Sequence, residues 1–328
     1  MHILILGAAG MVGRKFTERL LRDGRLGNAA ISKLTLQDVV APEKPAGAGI
    51  AIDTVTCDFA VPGAVTPLVA SRPDVIFHLA AIVSGEAEAD FDKGYRINLD
   101  GTRYLLEAIR AIGDGYKPRV VFTSSIAVFG APFHDKIDDE FFLTPQTSYG
   151  TQKAIGELLL TDYSRRGFLD GIGIRLPTVC VRPGRPNKAA SGFFSNIIRE
   201  PLNGEEAVLP VSEDVRHWHA SPRSTVGFLL HAGTMDLKVL GWRRSLSMPG
   251  LSATVGEQIA ALERVAGPKV AARIRRAPDP VIINMVASWP RDFSTARARD
   301  VGFTTAEKTF DDIIRIHIED ELGGKFVA

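Results

Sequence analysis

What most constrains the fold of this chain lies in its first residues. An apolar run, Ile3-Leu4-Ile5-Leu6, leads into Gly7-Ala8-Ala9-Gly10-Met11-Val12-Gly13 and then a helical pattern reaching Arg22. A strand that turns through glycines straight into a helix opens a βαβ unit. Gly7 permits the tight turn, Gly10 lets backbone approach a bound pyrophosphate, and Gly13 lets the helix lie close to the sheet. Free amides at the helix start, those of Met11 and Val12 among them, then face the phosphates. The GxxGxxG spacing is weak evidence alone; between a strand and a helix it points to a dinucleotide.

The same rhythm continues. Strand-like runs at 2–6, 33–38, 50–56, 74–79, 119–124 and 171–176 alternate with helical stretches near 12–23, 61–71, 90–113 and 146–166. The strands are mostly continuous apolar runs, as parallel strands covered on both faces require. The expected fold class is α/β: a Rossmann-type doubly wound parallel sheet with a smaller, mainly C-terminal substrate lobe. The expected domains are 1–177, binding NAD, and 178–328, mainly binding substrate, with segments able to return to the sheet. In that second part Arg182-Pro-Gly-Arg-Pro-Asn-Lys188 reads as loop, and helices are expected near 192–200, 222–234, 253–266 and 305–320.

Composition excludes several functions. Of 328 residues, 45% are apolar and 23% charged, which is ordinary for a globular protein. The net charge of +1 leaves no electrostatic footprint for a nucleic acid. The densest basic spot, Arg273-Ile-Arg-Arg276, reads as a solvated helix face. Cys57 and Cys180 set no disulfide framework and read as core thiols. The first strand begins almost at Met1, leaving no room for a secretion signal, and no run reaches the roughly 18 apolar residues of a membrane span. A cytoplasmic protein with a small-molecule partner is expected.

An acid at the tip of the second strand, Asp38, can accept hydrogen bonds from an adenosine ribose diol and repel a 2′-phosphate, favouring NAD over NADP. Asp58, beyond the third strand, is placed to reach the adenine amino group. Downstream, Tyr149 and Lys153 stand at i and i+4 and so share a helical face. A phenol titrates near 10 in water; an adjacent ammonium and a positive nicotinamide favour its ionised form. Lys153 can also hold the nicotinamide ribose. Ser125, at the mouth of the strand ending Val121-Phe-Thr-Ser124, can hydrogen-bond a reacting oxygen. A YxxxK pair alone is more often a solvated helix pair; the glycine turn and the serine strand in this order make it a candidate oxidoreductase site.

This constellation resembles the extended short-chain dehydrogenase/reductase family, the NAD-dependent epimerases and dehydratases. Gly7 to Gly13 match its glycine motif, Asp38 its acidic tip, Leu79-Ala80-Ala81 its cofactor-lining "LAA" segment, and Asn98 its helix-opening asparagine. Ser124-Ser125-Ile-Ala-Val-Phe129-Gly130 matches its "SSxxVYG" segment, with Phe replacing Tyr. The resemblance implies that Ser125, Tyr149 and Lys153 are catalytic. It also implies that Leu79, Ala80, Asn98 and Pro177 line the cofactor, and that the chain pairs as a homodimer through helices near 98–112 and 149–163. The surplus of apolar residues there agrees with such a contact: Leu99, Tyr104, Leu105, Leu106, Ile109 and Ile112 on the first helix, and Ala154, Ile155, Leu158, Leu159 and Tyr163 on the second.

The substrate part departs from the sugar-nucleotide pattern. Arg216-His-Trp-His-Ala-Ser-Pro222 stands where an epimerase carries Arg-Asp-aromatic-x-His-Val, matching only at Arg216. Pro177-Thr-Val-Cys-Val-Arg-Pro-Gly184 replaces Asn-x-Tyr-Gly-Pro. Stretches such as Lys188-Ala-Ala-Ser-Gly-Phe-Phe194 and Val211–Ala220 resemble instead a branch that oxidises the C2 hydroxyl of a four-carbon sugar acid with NAD. A carboxylate substrate needs a cation, and a guanidinium matches it in two bonds. Arg182 and Arg216 are the candidates, with Lys188 behind them; Arg216 can instead pair with Asp214 or Glu213. Ser191 and Asn187 are lesser candidates for sugar hydroxyls, whereas Asp139 and Glu140 read as solvated acids. His217 and His219 share a strand face, but no third ligand at a metal-binding spacing accompanies them, so no metal is expected. His78 reads as structural. The alternatives are a nucleotide-sugar epimerase or dehydratase and a non-catalytic NAD-binding regulator.

Overall fold

In the computed structural model, which describes residues 1–45, 49–184 and 190–328, six strands between residues 2 and 176 join one sheet. They are β1 (His2–Leu6), β2 (Lys33–Asp38), β3 (Ala51–Thr56), β4 (Val75–His78), β5 (Arg119–Ser125) and β6 (Asp170–Leu176). Their order is β3-β2-β1-β4-β5-β6, with Ser245–Ser247 added beyond β6. β1 pairs in parallel with both β2 and β4, so the order reverses there. In an open α/β sheet this reversal leaves a crevice beyond the C-terminal strand ends. Leu6 lies beside Gln37 and His78, so Gly7, Asp38 and Leu79 follow at one level, at the C-terminal ends of their strands.

β1 is buried on both faces, which explains its unbroken apolar sequence. Leu4 and Leu6 join Ile76, Phe122, Leu105, Leu106, Ile109 and Leu160 in one core. The helices on that side are α2 (Gly101–Ile112) and α3 (Ser148–Arg165). On the opposite face Phe16 of α1 (Met11–Asp23) meets Phe77 edge-on at 4.5 Å.

The single helix expected over 90–113 is broken. Ser84–Ala89, Phe91–Gly94 and a wide π-type turn, Tyr95–Asp100, precede α2. Close packing shapes this path: a Cβ on Gly94 would lie 2.7 Å from Gln152 Nε2, and one on Gly101 2.5 Å from the Phe59 ring. The stretch near 61–71 is helical only over Thr66–Ala70, after Gly63 at φ +84°.

The chain divides into two units. One is Met1–Val128, Thr147–Arg175 and Val226–Leu246; the other is Phe129–Gln146, Leu176–Thr225 and Ser247–Ala328. One cut at 177 therefore does not describe the chain. Segment 129–146, expected in the first domain, belongs to the second unit, where Phe129 packs on Phe293 at 5.8 Å and Ile137 bridges Phe293. Segment 226–246 returns to the sheet unit.

In the second unit β8 (Arg216–Ala220) pairs in parallel with β7 (Thr178–Val179) and antiparallel with β9 (Leu251–Thr254). Its core brings together α4 (Gly192–Leu202), α5 (Val255–Ala266) and α6 (Phe310–Leu322) through Phe194, Ile197, Leu262, Ile313 and Ile314. α6 begins at 310 rather than 305 because Thr309 caps it: its side chain accepts from Asp312 N and its own N–H donates to the Asp312 carboxylate. The basic spot 273–276 holds a strand, Ile274–Arg276, paired with Ala207–Leu209, and not a helix. Its exposed Arg275 and Arg276 face Glu206 and Glu213. Among the described residues, no helix is long and apolar enough to cross a membrane.

Candidate active site

The turn after β1 has the conformation its glycines allow. Gly7 takes φ +88°, and a Cβ there would lie 2.6 Å from Ala80 N. A Cβ on Gly13 would lie 2.3 Å from Gly7 O, so α1 rests directly on the turn. α1 opens at exposed Gly10 with no side-chain cap and no acid in its first turn. Its first amides, including those of Met11 and Val12, have no partner within the helix, and the positive end of the helix dipole lies with them. This mouth fits a diphosphate.

Asp38 is pinned beside it. Its Oδ2 accepts from Ala9 N at 2.9 Å, and its Oδ1 from Val39 N at 2.7 Å. Gly7 N and Ala8 N both donate to Gln37 O, lashing the glycine turn to the tip of β2. Asp58 is engaged differently from the adenine contact expected of it: Arg96 donates to its Oδ2 at 2.7 Å, while Oδ1 accepts from Ala60 N. Leu79 and Ala80 follow β4 directly, Leu79 N donating to Leu6 O. Asn98 is buried with its amide bound to protein: it accepts from Ile82 N at 2.9 Å and donates to Gln152 Oε1 at 2.8 Å. It thereby ties the segment after Ala80 to α3.

Thr147 caps α3, accepting from Gly150 N. The helix carries Tyr149, half-buried, and Lys153, fully buried. Lys153 Nζ donates to Thr123 O at 2.8 Å, lies 4.8 Å from the Phe122 ring centre and 5.7 Å from that of Tyr149. Burial lowers its pKa to about 8, against the pull of the nearby Glu157 carboxylate. Ser125 ends β5, its Oγ accepting from Ala127 N. His78 is a core residue whose Nε2 bonds Thr102 Oγ1, and burial lowers its pKa to about 3.

The second unit holds the cationic candidates. Arg182 donates to Val179 O and Ser191 Oγ. Arg216 faces Glu257 of α5 at 3.3 Å rather than Asp214 or Glu213, because β8 runs beside β9 and the start of α5. Pro177 is buried between β6 and β7. Asn187 and Lys188 lie outside the described residues. Glu140 is exposed, but Asp139 is not the solvated acid expected: its side chain is buried and accepts from Ser247 N, with Arg297 at 3.9 Å. His217 is bound on both ring nitrogens, to Pro290 O and Thr178 Oγ1, and stacks on Phe194. His219 meets the Gln258 amide at 3.1 Å. Burial lowers His217 to about 4 and His219 well below its ordinary value. Among the described residues, no three His, Cys, Asp or Glu side chains group to hold a metal.

Sequence reading passed over Glu157, Arg175 and Gln152. The signals were present: Glu157 lies one helical turn beyond Lys153, and Arg175 interrupts an otherwise apolar strand.

The model of the NAD dependent epimerase/dehydratase family matches residues 3–220. The chain belongs to that family. Within it, the chain is 46% identical over 324 residues to a D-erythronate dehydrogenase of Cupriavidus necator, covering 98% of each. It is 41% identical to the D-erythronate dehydrogenase of Haemophilus influenzae, over 98% of this chain and all of that one. A solved structure described as a nucleoside-diphosphate-sugar epimerase, from Agrobacterium tumefaciens, superposes with a TM-score of 0.96 at 67% identity, covering 99% of this chain and 95% of that one.

Proposed function

We propose that the protein is an NAD-dependent dehydrogenase that oxidises the C2 hydroxyl of D-erythronate to 2-dehydro-D-erythronate. The observation that carries this reading is the buried Lys153 beside Tyr149, at the end of the sheet where Ser125 and the glycine turn emerge. Near full-length similarity to two D-erythronate dehydrogenases supports this choice of substrate.

Bound NAD would supply the hydride acceptor for C2. Gly7, Gly10, Met11, Val12 and Gly13 would hold its diphosphate, Asp38 its adenosine ribose, and Leu79, Ala80, Asn98 and Pro177 would shape its remaining surroundings. Arg96 already occupies Asp58, so Asp58 is the weakest of the assigned contacts. Tyr149, as phenolate, takes the C2 hydroxyl proton onto its oxygen. Lys153, while charged, favours that phenolate. Ser125 donates to the same substrate oxygen as charge develops there. Arg182 and Arg216 are the cations assigned to the substrate carboxylate; each already has a partner in the protein, Ser191 and Glu257 respectively.

The epimerase description of the Agrobacterium structure favours a second reading, nucleotide-sugar chemistry on the same trio. A panel of four- and five-carbon sugar acids with NAD, run beside UDP- and dTDP-sugars, separates the two. NADH formation with D-erythronate and no sugar-nucleotide turnover is expected; the reverse pattern overturns the proposal. We further propose a homodimer through α2 and α3. Leu105, Leu106 and Ile109 are spent in the core, but Leu158 is 64% exposed, with Tyr104, Ile112, Ile155 and Leu159 half-buried.

A further inference from the structure

Buried beneath the candidate trio lies an ion pair that the mechanism above does not use. Arg175 of β6 donates to Glu157 of α3 from Nε, at 3.0 and 3.2 Å to the two carboxylate oxygens, and from Nη2 at 2.8 Å. Glu157 Oε1 also accepts from Ser124 Oγ at 2.5 Å. All three side chains are buried. We infer that Glu157, clamped by Arg175, is a positioning residue for the reaction: its carboxylate ties α3, one turn beyond Lys153, to the end of β5 that carries Ser125. The inference rests on the dehydrogenase reading of Ser125, Tyr149 and Lys153.

Two successive turns of α3 grip two successive residues of β5. Lys153 donates to Thr123 O, and Glu157 accepts from Ser124 Oγ. The next residue is Ser125, so its place beside the helix is set by this double tie. A buried ion pair is poor glue, because desolvating two charges offsets most of their attraction and an apolar pair packs as well. This pair therefore fits a role that needs charge.

Lys153 is the group on which that charge acts. From α3 it is faced by Tyr149 and Glu157, and from β5 by the Phe122 ring and Thr123 O. From β4 it is faced by His78, which burial keeps neutral, and Arg175 of β6 stands behind Glu157. Glu157 supplies the negative charge in this set and opposes the loss of the lysine proton that burial promotes. Without it, Lys153 turns neutral at lower pH and its support for the Tyr149 phenolate goes with it.

The test is the titration of Lys153 itself, read from its side-chain carbon signal in the full-length protein labelled with 13C-lysine and assigned with K153M. In E157Q the midpoint is expected to fall by about one pH unit. kcat on D-erythronate should fall about tenfold while KM and NADH binding stay within about twofold. The alkaline limb of kcat should follow the lysine. E157D, which keeps the carboxylate, should return most of the shift. S124A removes only the hydroxyl and should lower kcat with the midpoint unmoved. A folded E157Q with the parental midpoint overturns the inference, as does S124A with parental kcat. If E157Q does not fold because Arg175 is left unpaired, S124A, which leaves the ion pair intact, decides: a lowered kcat supports the inference and parental kcat overturns it. A parent protein that reduces no NAD with any sugar acid overturns the proposed reaction instead, and Lys153 can still be titrated.

Discussion

Tyr149 and Lys153 owe their relation to helix geometry alone, since residues four apart on α3 must share a face. The proposed roles make a sharp distinction between them and Asp38. Y149F removes the proton acceptor and a hydroxyl also assigned to the cofactor, while the glycine turn, Asp38 and Lys153 would still hold the dinucleotide, so kcat should fall by about 10²- to 10⁴-fold with NADH binding, followed by fluorescence, largely intact. Parental turnover in Y149F would remove the phenol from the mechanism. D38A should act in the opposite way. It deletes the acceptor for Ala9 N and Val39 N and the carboxylate assigned to the ribose. NADH affinity should drop about tenfold, the scale of one charge-assisted hydrogen bond, and discrimination against NADPH should shrink. Unaltered preference in a cofactor titration would show that another group reads the ribose. Partners set by long-range folding were not legible in the sequence. Arg216 meets Glu257, 41 positions away, because β8 and β9 pair; no local pattern encodes that. Asp139 was misread for the same reason, since Ser247 and Arg297 reach it across the fold, and the Arg96 partner of Asp58 was equally hidden.

Among the elements, the six parallel strands could be read almost to the residue because β1, β4 and β5 are buried on both faces and carry unbroken apolar runs. The glycine turn was equally legible, as its backbone demands leave few residue choices. The region 90–113 was not. Its apolar spacing suits one long helix, whereas the path is decided by how closely Gly94 and Gly101 approach Gln152 and Phe59, which periodicity does not record. The turn also yields a quantitative expectation. G13A places a methyl 2.3 Å from Gly7 O, so α1 must move off the turn. Overpacking of this kind costs about 1–3 kcal/mol. Thermal unfolding should shift down accordingly, and NADH binding should weaken more than in D38A. A G13A protein with parental melting and binding would contradict the close seat of α1.

For the whole molecule, three of the four buried histidines predict the response to acid. Burial holds His78 near 3, His217 near 4 and His219 well below its ordinary value. Each is neutral in the fold and protonated in the unfolded chain below about pH 6.5, so the unfolded state binds more protons there. Stability should therefore be full above pH 7 and fall as pH drops toward 4, by at most about 1.4 kcal/mol per pH unit for each histidine. Urea midpoints at pH 7.5 and 5 should differ clearly; equal midpoints would contradict the burial of these rings. The proposed dimer is tested by sedimentation at micromolar concentration, where L158D should shift a dimer to monomer. A parent that sediments as a monomer would end that proposal.

In the proposed reaction, hydride leaves C2 of the sugar acid. D-Erythronate carrying deuterium at C2, turned over by the purified protein with NAD, tests it directly by mass analysis of the reduced cofactor. One deuterium per reduced nicotinamide, with the 2-oxo acid as the other product, is the predicted result. Reduced cofactor free of deuterium, or deuterated D-erythronate recovered unchanged while sugar nucleotides are consumed, would contradict it.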